Sequence, residues 1–206
     1  MLMENIFPTS IGVSWFEDHH LYEEQLVKKC LDIEKKMPRG EAWLQNNTYN
    51  SLSSYSILAD SDFDPITNFV IEQVRQYCLE VGMSLKSLDE RPQMPWFNIY
   101  RKGDTQEYHY HVNTLCSAVY FLSANPTIGA KLWVKTPKVD MLAPQYAEQK
   151  WENDDRYFYA PDPGKVVIMR GYVEHSVEQH GDDQPRISLV YNFKNRTSYK
   201  GPKRLT

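Results

Sequence analysis

The sequence predicts an α+β fold, mainly β, in which N-terminal helices pack on a β core. Helical periodicity is confined to the first 90 residues. Beyond them, aromatic and β-branched residues come in short runs separated by Gly, Pro, Asn and Asp, the texture of successive strands. No helical pattern separates those runs, so parallel βαβ units are not expected.

A chain of 206 residues suits one hydrophobic core, so we expect a single domain, with residues 1–90 as helical support, 91–195 as the β core and 196–206 as a tail. From Leu21 to Lys36, Tyr22, Leu26, Cys30 and Ile33 recur at helical spacing. Glu23 and Glu24 come early and Lys35 and Lys36 late, as the helix dipole prefers. A stronger helix runs from Asp64 to about Val81, with Asp64 as its cap and Pro65 in its first turn. Ile66, Phe69, Val70, Val74, Tyr77 and Val81 form its apolar stripe, and Gly82 ends it. The expected strands are Trp96–Arg101, Glu107–Val112, Ser117–Ser123, Lys131–Lys135, Lys165–Arg170, Glu174–Gln179 and Arg186–Phe193. Turns fall at Lys102-Gly103-Asp104, Pro163-Gly164 and Gly181-Asp182-Asp183. The stretch from Pro137 to Pro161 has little periodicity, and reads either as a substrate-facing lid or as a surface excursion.

Hydrophobic residues make up 41% and charged residues 24%, and no apolar run is long enough to span a bilayer, so a soluble protein without membrane contact is expected. The N-terminus lacks a basic start followed by an apolar stretch, which favours the cytoplasm. Cys30, Cys78 and Cys116 lie far apart with no CxxC pair, and are expected to be reduced and buried. The net charge is −4 and the only basic cluster is Lys200, Lys203 and Arg204 in the tail, so no nucleic-acid partner is expected.

The chemistry lies in the β region. His109 and His111 form an HxH pair, and a spacing of two on a strand sends both imidazoles to one face. A metal-free polar strand face would look the same, but His175, on a distant strand, supplies the third imidazole that a facial metal site needs. His19 and His20 read as a surface pair and His180 as an exposed turn residue. Eleven residues beyond His175 stands Arg186, and alternation puts Arg186, Ser188, Val190 and Asn192 on one strand face. A guanidinium and a hydroxyl pointing together would make a carboxylate clamp. Read alone, Arg186 would better suit a salt bridge to Asp182, Asp183 or Glu178 at the barrel rim.

An ordered set of residues resembles a known family. Trp96-Phe97-Asn98-Ile99-Tyr100, Lys102-Gly103-Asp104, His109-Tyr-His111, Ser117-Ala-Val-Tyr120-Phe-Leu122, Pro163-Gly164-Lys-Val-Val, His175 and Arg186-Ile-Ser188 are similar to the 2-oxoglutarate and Fe(II)-dependent oxygenases. Within them the chain looks most like the small oxygenases common in marine bacteria and phages. The resemblance covers roughly residues 90–195 and, more loosely, Ile6-Phe7-Pro8-Thr9. It implies a double-stranded β-helix, the jelly-roll or cupin-like core, and a dioxygenase that hydroxylates its substrate while converting 2-oxoglutarate to succinate. Fe(II), 2-oxoglutarate and O2 are the implied cofactor and cosubstrates, with ascorbate as reductant in vitro. His175 matches the distal metal histidine, Arg186 the residue that binds the far carboxylate of 2-oxoglutarate, and Ser188 its hydroxyl partner, with Tyr100 or Asn98 adding a contact.

The usual metal triad of that superfamily is two histidines and one carboxylate. Here the first motif is His109-x-His111 or, shifted by two, His111-x-Asn113, and the nearest carboxylates, Asp104 and Glu107, precede it. A pocket lined by Trp96, Trp133 and Tyr120, taking a small molecule or a peptide side chain, is expected around the metal. The rival reading is a cupin-like metalloprotein, a dioxygenase or isomerase that uses no 2-oxoglutarate. It accounts for the histidines and leaves Arg186 and Ser188 without a purpose. A metal-free carboxylate-binding protein on the same barrel is a third.

Overall fold

The computed structural model describes residues 2, 7–39, 48–138, 145–148, 150 and 153–196. Its strands form two antiparallel sheets. Gly12–Trp15 (β1), Lys165–Arg170 (β8), Cys116–Ser123 (β5), Arg186–Phe193 (β10), Gln93–Tyr100 (β3) and Tyr49–Asn50 (β2) lie side by side in that order. The smaller sheet runs Gln106–His109 (β4), His175–Val177 (β9), Leu132–Lys135 (β6) and Arg156–Tyr159 (β7).

Alternation along the strands of the large sheet builds two cores. One face presents Phe97, Ile99, Ala118, Tyr120, Leu122, Ile168, Ile187, Leu189 and Tyr191 to the helices Glu23–Lys36 (α1) and Asp64–Glu80 (α2). Leu26, Cys30 and Ile33 of α1 and Ile66, Val70, Val74 and Tyr77 of α2 complete that core. The other face presents Tyr100, Val119, Phe121, Val167 and Met169 to Leu132, Val134 and Val177 of the small sheet. The two sheets therefore close on each other, and the second core is lined where they meet.

Several expectations need correcting. Asp64 does not cap α2: Phe63 holds the cap position with no side-chain hydrogen bond, and Asp60 instead accepts from Asp62 N at 3.1 Å. Gly82 does end α2, with a φ of 72° that costs a residue without a Cβ little. Helix α1 starts two residues later than expected, because Glu17–Leu21 forms a 3-10 helix first. Strands β1 and β2 are too short for periodicity to reveal. Strand β7 falls inside the Pro137–Pro161 stretch, much of which lies outside the described residues, as do Ile6 and the basic tail. The three cysteines are free and buried, as expected. Among the described residues no helix is long and apolar enough to cross a membrane.

Candidate active site

A narrow cleft opens between the two sheets. Its large-sheet wall carries Trp96, Asn98 and Tyr100 from β3 and Arg186, Ser188 and Val190 from β10; its small-sheet wall carries His109 and His175. Facing residues pair across the strands, Arg186 with Tyr100, Ser188 with Asn98 and Val190 with Trp96.

The histidines converge. One ring nitrogen from each of His109, His111 and His175 lies within 4.8 Å of the others. The cause is not simple alternation, since β4 ends at His109. Gln106 pairs with Val177 and His109 with His175, so β4 holds one extra residue between these pairs. That bulge reverses the parity of the strand, turning His109 inward and leaving Tyr108 and Tyr110 exposed. His111 lies past the strand end and is held by its own N–H, which donates to Gly171 O at 3.0 Å. A Cβ at Gly171 would come within 2.1 Å of Thr114 O, so only glycine permits this approach. Asn113 is exposed, in the left-handed region with φ of 60°, and the shifted pairing His111-x-Asn113 finds no support.

The ring nitrogens are prepared for a cation. Nδ1–H of His109 donates to Glu107 O at 2.8 Å and Nδ1–H of His175 to Val173 O at 3.0 Å, which makes Nε2 the unprotonated nitrogen of each ring. Nε2 of His111 and Nε2 of His175 are 3.2 Å apart. Burial holds all three rings below the ordinary imidazole range, His111 at about 4 and His175 well below its usual value, so they are neutral at physiological pH. Three convergent neutral imidazoles fit a divalent transition metal. Glu107 and Asp104 do not join them: Glu107 is exposed, and Asp104 accepts from Arg101 N.

At the other end stands Arg186, fully buried. Its guanidinium lies over the rings of Tyr100 and Phe121, at 4.7 and 5.1 Å, and Nη1 donates to Ser188 Oγ at 3.4 Å. Nε and Nη2 have no hydrogen-bond acceptor among the described residues. The alternative salt bridges are not made. Glu178 accepts from Trp133 Nε1 and Lys131 N, Asp183 pairs with Lys102, and Asp182 accepts from Gln184 N. Trp96 Nε1 and Asn98 Oδ1, also on the cleft wall, are likewise buried without a hydrogen-bond partner among the described residues.

Some expected residues lie elsewhere. Tyr120 faces the helices, not the cleft, and bonds His19 Nδ1 at 2.6 Å. Trp133 is on the outer face of its sheet, 5.1 Å from Phe158, because its neighbours Leu132 and Val134 point inward. His19 is buried, and so is His180, which accepts from Ala130 N and donates to Gln184 O. Asn192 was placed on the correct face with no role assigned; its side chain reaches His111 Nδ1 at 3.2 Å.

Fold and site together define a double-stranded β-helix with a three-histidine centre beside a buried arginine. Residues 94–192 match the family described as "Putative 2OG-Fe(II) oxygenase", a span that holds every residue of the cleft. That match agrees with what the motifs implied, and the cupin-like reading is not favoured. No curated protein matches the sequence. Among solved structures, a Pseudomonas putida prolyl-4-hydroxylase is similar with a TM-score of 0.63 at 15% identity, over 91% of this chain and 94% of that one. The non-haem α-ketoglutarate-dependent epimerase SnoN from nogalamycin biosynthesis gives 0.63 at 10% identity, over 96% and 86%. HygX from Streptomyces hygroscopicus, solved with nickel, 2-oxoglutarate and hygromycin B, gives 0.55 at 11% identity, over 93% and 84%. At such identities the likeness shows the fold.

Proposed function

We propose that the protein is a 2-oxoglutarate and Fe(II)-dependent dioxygenase that hydroxylates a small molecule or a peptide side chain. The observation that carries this reading is Arg186, a fully buried guanidinium with two unpartnered nitrogens in the same cleft as three convergent histidines. A buried charge without a counterion is costly, and a dicarboxylate reaching from the histidines to the arginine would supply one.

Fe(II) and 2-oxoglutarate, when bound, supply an O2-dependent decarboxylation to succinate that oxidises a C–H bond of the substrate. His109, His111 and His175 would hold the metal, and the rings of His109 and His175 already carry their protons on Nδ1. Arg186 would grip the far carboxylate of 2-oxoglutarate through its planar fork, with Ser188 adding a hydroxyl. Asn98 and Tyr100, beside that pair, line the cosubstrate's path. Apolar walls from Val119, Leu132, Val177 and Val190 keep water out of the cleft. Cross-strand register sets His109, His175, Val134 and Tyr157 in one row. Tyr157, on the edge strand, supports a substrate-facing role for the end of the Pro137–Pro161 stretch.

The test is succinate formation from 2-oxoglutarate with Fe(II), ascorbate and O2, first without a prime substrate and then with candidate small molecules and peptides. No succinate, together with no calorimetric binding of 2-oxoglutarate to the anaerobic metal-loaded protein, would reject the reading.

A further inference from the structure

We infer that Asn192 is a positioning residue of the metal site, whose side-chain amide holds His111 and accepts the Nδ1 proton this ring must carry when Nε2 ligates a metal. The inference rests on the metal site proposed above.

Strand β10 carries Arg186, Ser188 and Val190 along the cleft and places Asn192 next on the same face. There Asn192 Nδ2 lies 3.2 Å from His111 Nδ1, and Asn192 Oδ1 is buried without a partner. The contacts form a chain. If Nδ2–H donates to His111 Nδ1, then Nε2 of His111 carries the proton and can donate to His175 Nε2 at 3.2 Å, while His175 Nδ1–H donates to Val173 O. Coordination through His111 Nε2 needs the opposite tautomer, with the proton on Nδ1. The atom facing Nδ1 must then be an acceptor.

An asparagine meets both demands. Rotating its amide by half a turn exchanges Nδ2 for Oδ1 with almost no change of shape. That rotation presents an acceptor to Nδ1–H and gives the buried Oδ1 a partner. His109 and His175 need no such change, because backbone carbonyls already fix their Nδ1 protons. The tautomer of His111 thus depends on a side chain, and that side chain shares a strand with the proposed cosubstrate clamp.

The experiment compares wild type, Asn192→Leu and Asn192→Asp. Co2+ titration gives affinity and the visible d–d spectrum, and 15N NMR of the Zn2+-loaded protein reports the His111 Nδ1 proton. Asn192→Leu should weaken Co2+ roughly tenfold to a hundredfold, shift the d–d bands and lose the slowly exchanging Nδ1 proton. Asn192→Asp, which only accepts, should bind Co2+ at least as tightly as wild type and keep that proton. Wild-type affinity and spectrum in Asn192→Leu, or an Asn192→Asp as weak as Asn192→Leu, would overturn the assignment. Should Asn192→Leu fail to fold, Asn192→Asp decides by itself: retained affinity with a retained Nδ1 proton supports the role, and lost affinity overturns it. A wild type that binds neither Co2+ nor Zn2+ rejects the metal site itself, and this inference with it.

Discussion

The two ends of the cleft solve opposite electrostatic problems. At the clamp end a permanent positive charge is fully buried, and among the described residues Nε and Nη2 meet no acceptor. At the histidine end three ionisable rings are kept neutral by burial, and two have their Nδ1 protons fixed by backbone carbonyls. One end is short of an anion and the other offers lone pairs to a cation. A cleft with either end alone would suit many ligands. Having both in one cleft suits a metal together with an anionic partner.

The largest expected effect is at the histidine end. His175→Ala should abolish tight binding of Fe(II) or a surrogate ion, measured by titration under anaerobic conditions. His109→Ala and His111→Ala should each lose a comparable share of affinity, on the order of tenfold or more. A silent His109→Ala would remove that ring from the site. The neutral rings also fix the sign of the pH dependence. Their folded pKa values are depressed, His111 to about 4 from an ordinary 6.5, so between those values the unfolded chain binds more protons than the metal-free fold. Stability is therefore retained above pH 6.5 and lost as pH falls toward 4. Urea unfolding of chelator-treated protein across that range should show it, and a flat profile would contradict neutral, buried rings.

The clamp end should answer differently. Arg186→Leu is expected to leave metal binding intact and weaken 2-oxoglutarate by about 2–4 kcal/mol, the scale of a charge-assisted bidentate contact in a desolvated pocket. The same change removes an uncompensated buried charge, so the melting temperature of the ligand-free protein should hold or rise. Opposite signs for ligand affinity and bare stability would mark Arg186 as placed for binding. A fall in both would make it a structural residue instead.

Much of this contrast was legible in the sequence, and the reasons are local. Strand β10 was bounded as Arg186–Phe193 and its two faces were assigned as found, because eight residues of strict alternation leave little freedom. The spacing of His109 and His111 implies equal facing along one strand, whereas a bulge and a loop contact to Gly171 bring the rings together. Bulges leave no period in a sequence. Tyr120 and Trp133 do not line the pocket, because alternation against Val119, Leu132 and Val134 points them away from it. His19 and His180 were read as exposed because their partners, Tyr120 and Ala130, are 101 and 50 residues away. Long-range pairing is the part that spacing cannot carry.

The smallest expected effect tests how the clamp shares its work. Ser188 Oγ already accepts from Arg186 Nη1 at 3.4 Å, a long contact, and its hydroxyl proton remains available to a carboxylate. Ser188→Ala therefore removes one neutral donor from the ligand and one weak acceptor from the arginine. The loss of 2-oxoglutarate affinity should be about 1 kcal/mol, well below that of Arg186→Leu. Arg186→Lys should fall between them, because an ammonium keeps the charge and loses the fork. Calorimetric titration of 2-oxoglutarate into the anaerobic metal-loaded variants ranks the three. If Ser188→Ala cost as much as Arg186→Leu, the hydroxyl would be fixing the guanidinium's orientation, and the two substitutions combined would then cost little more than either alone.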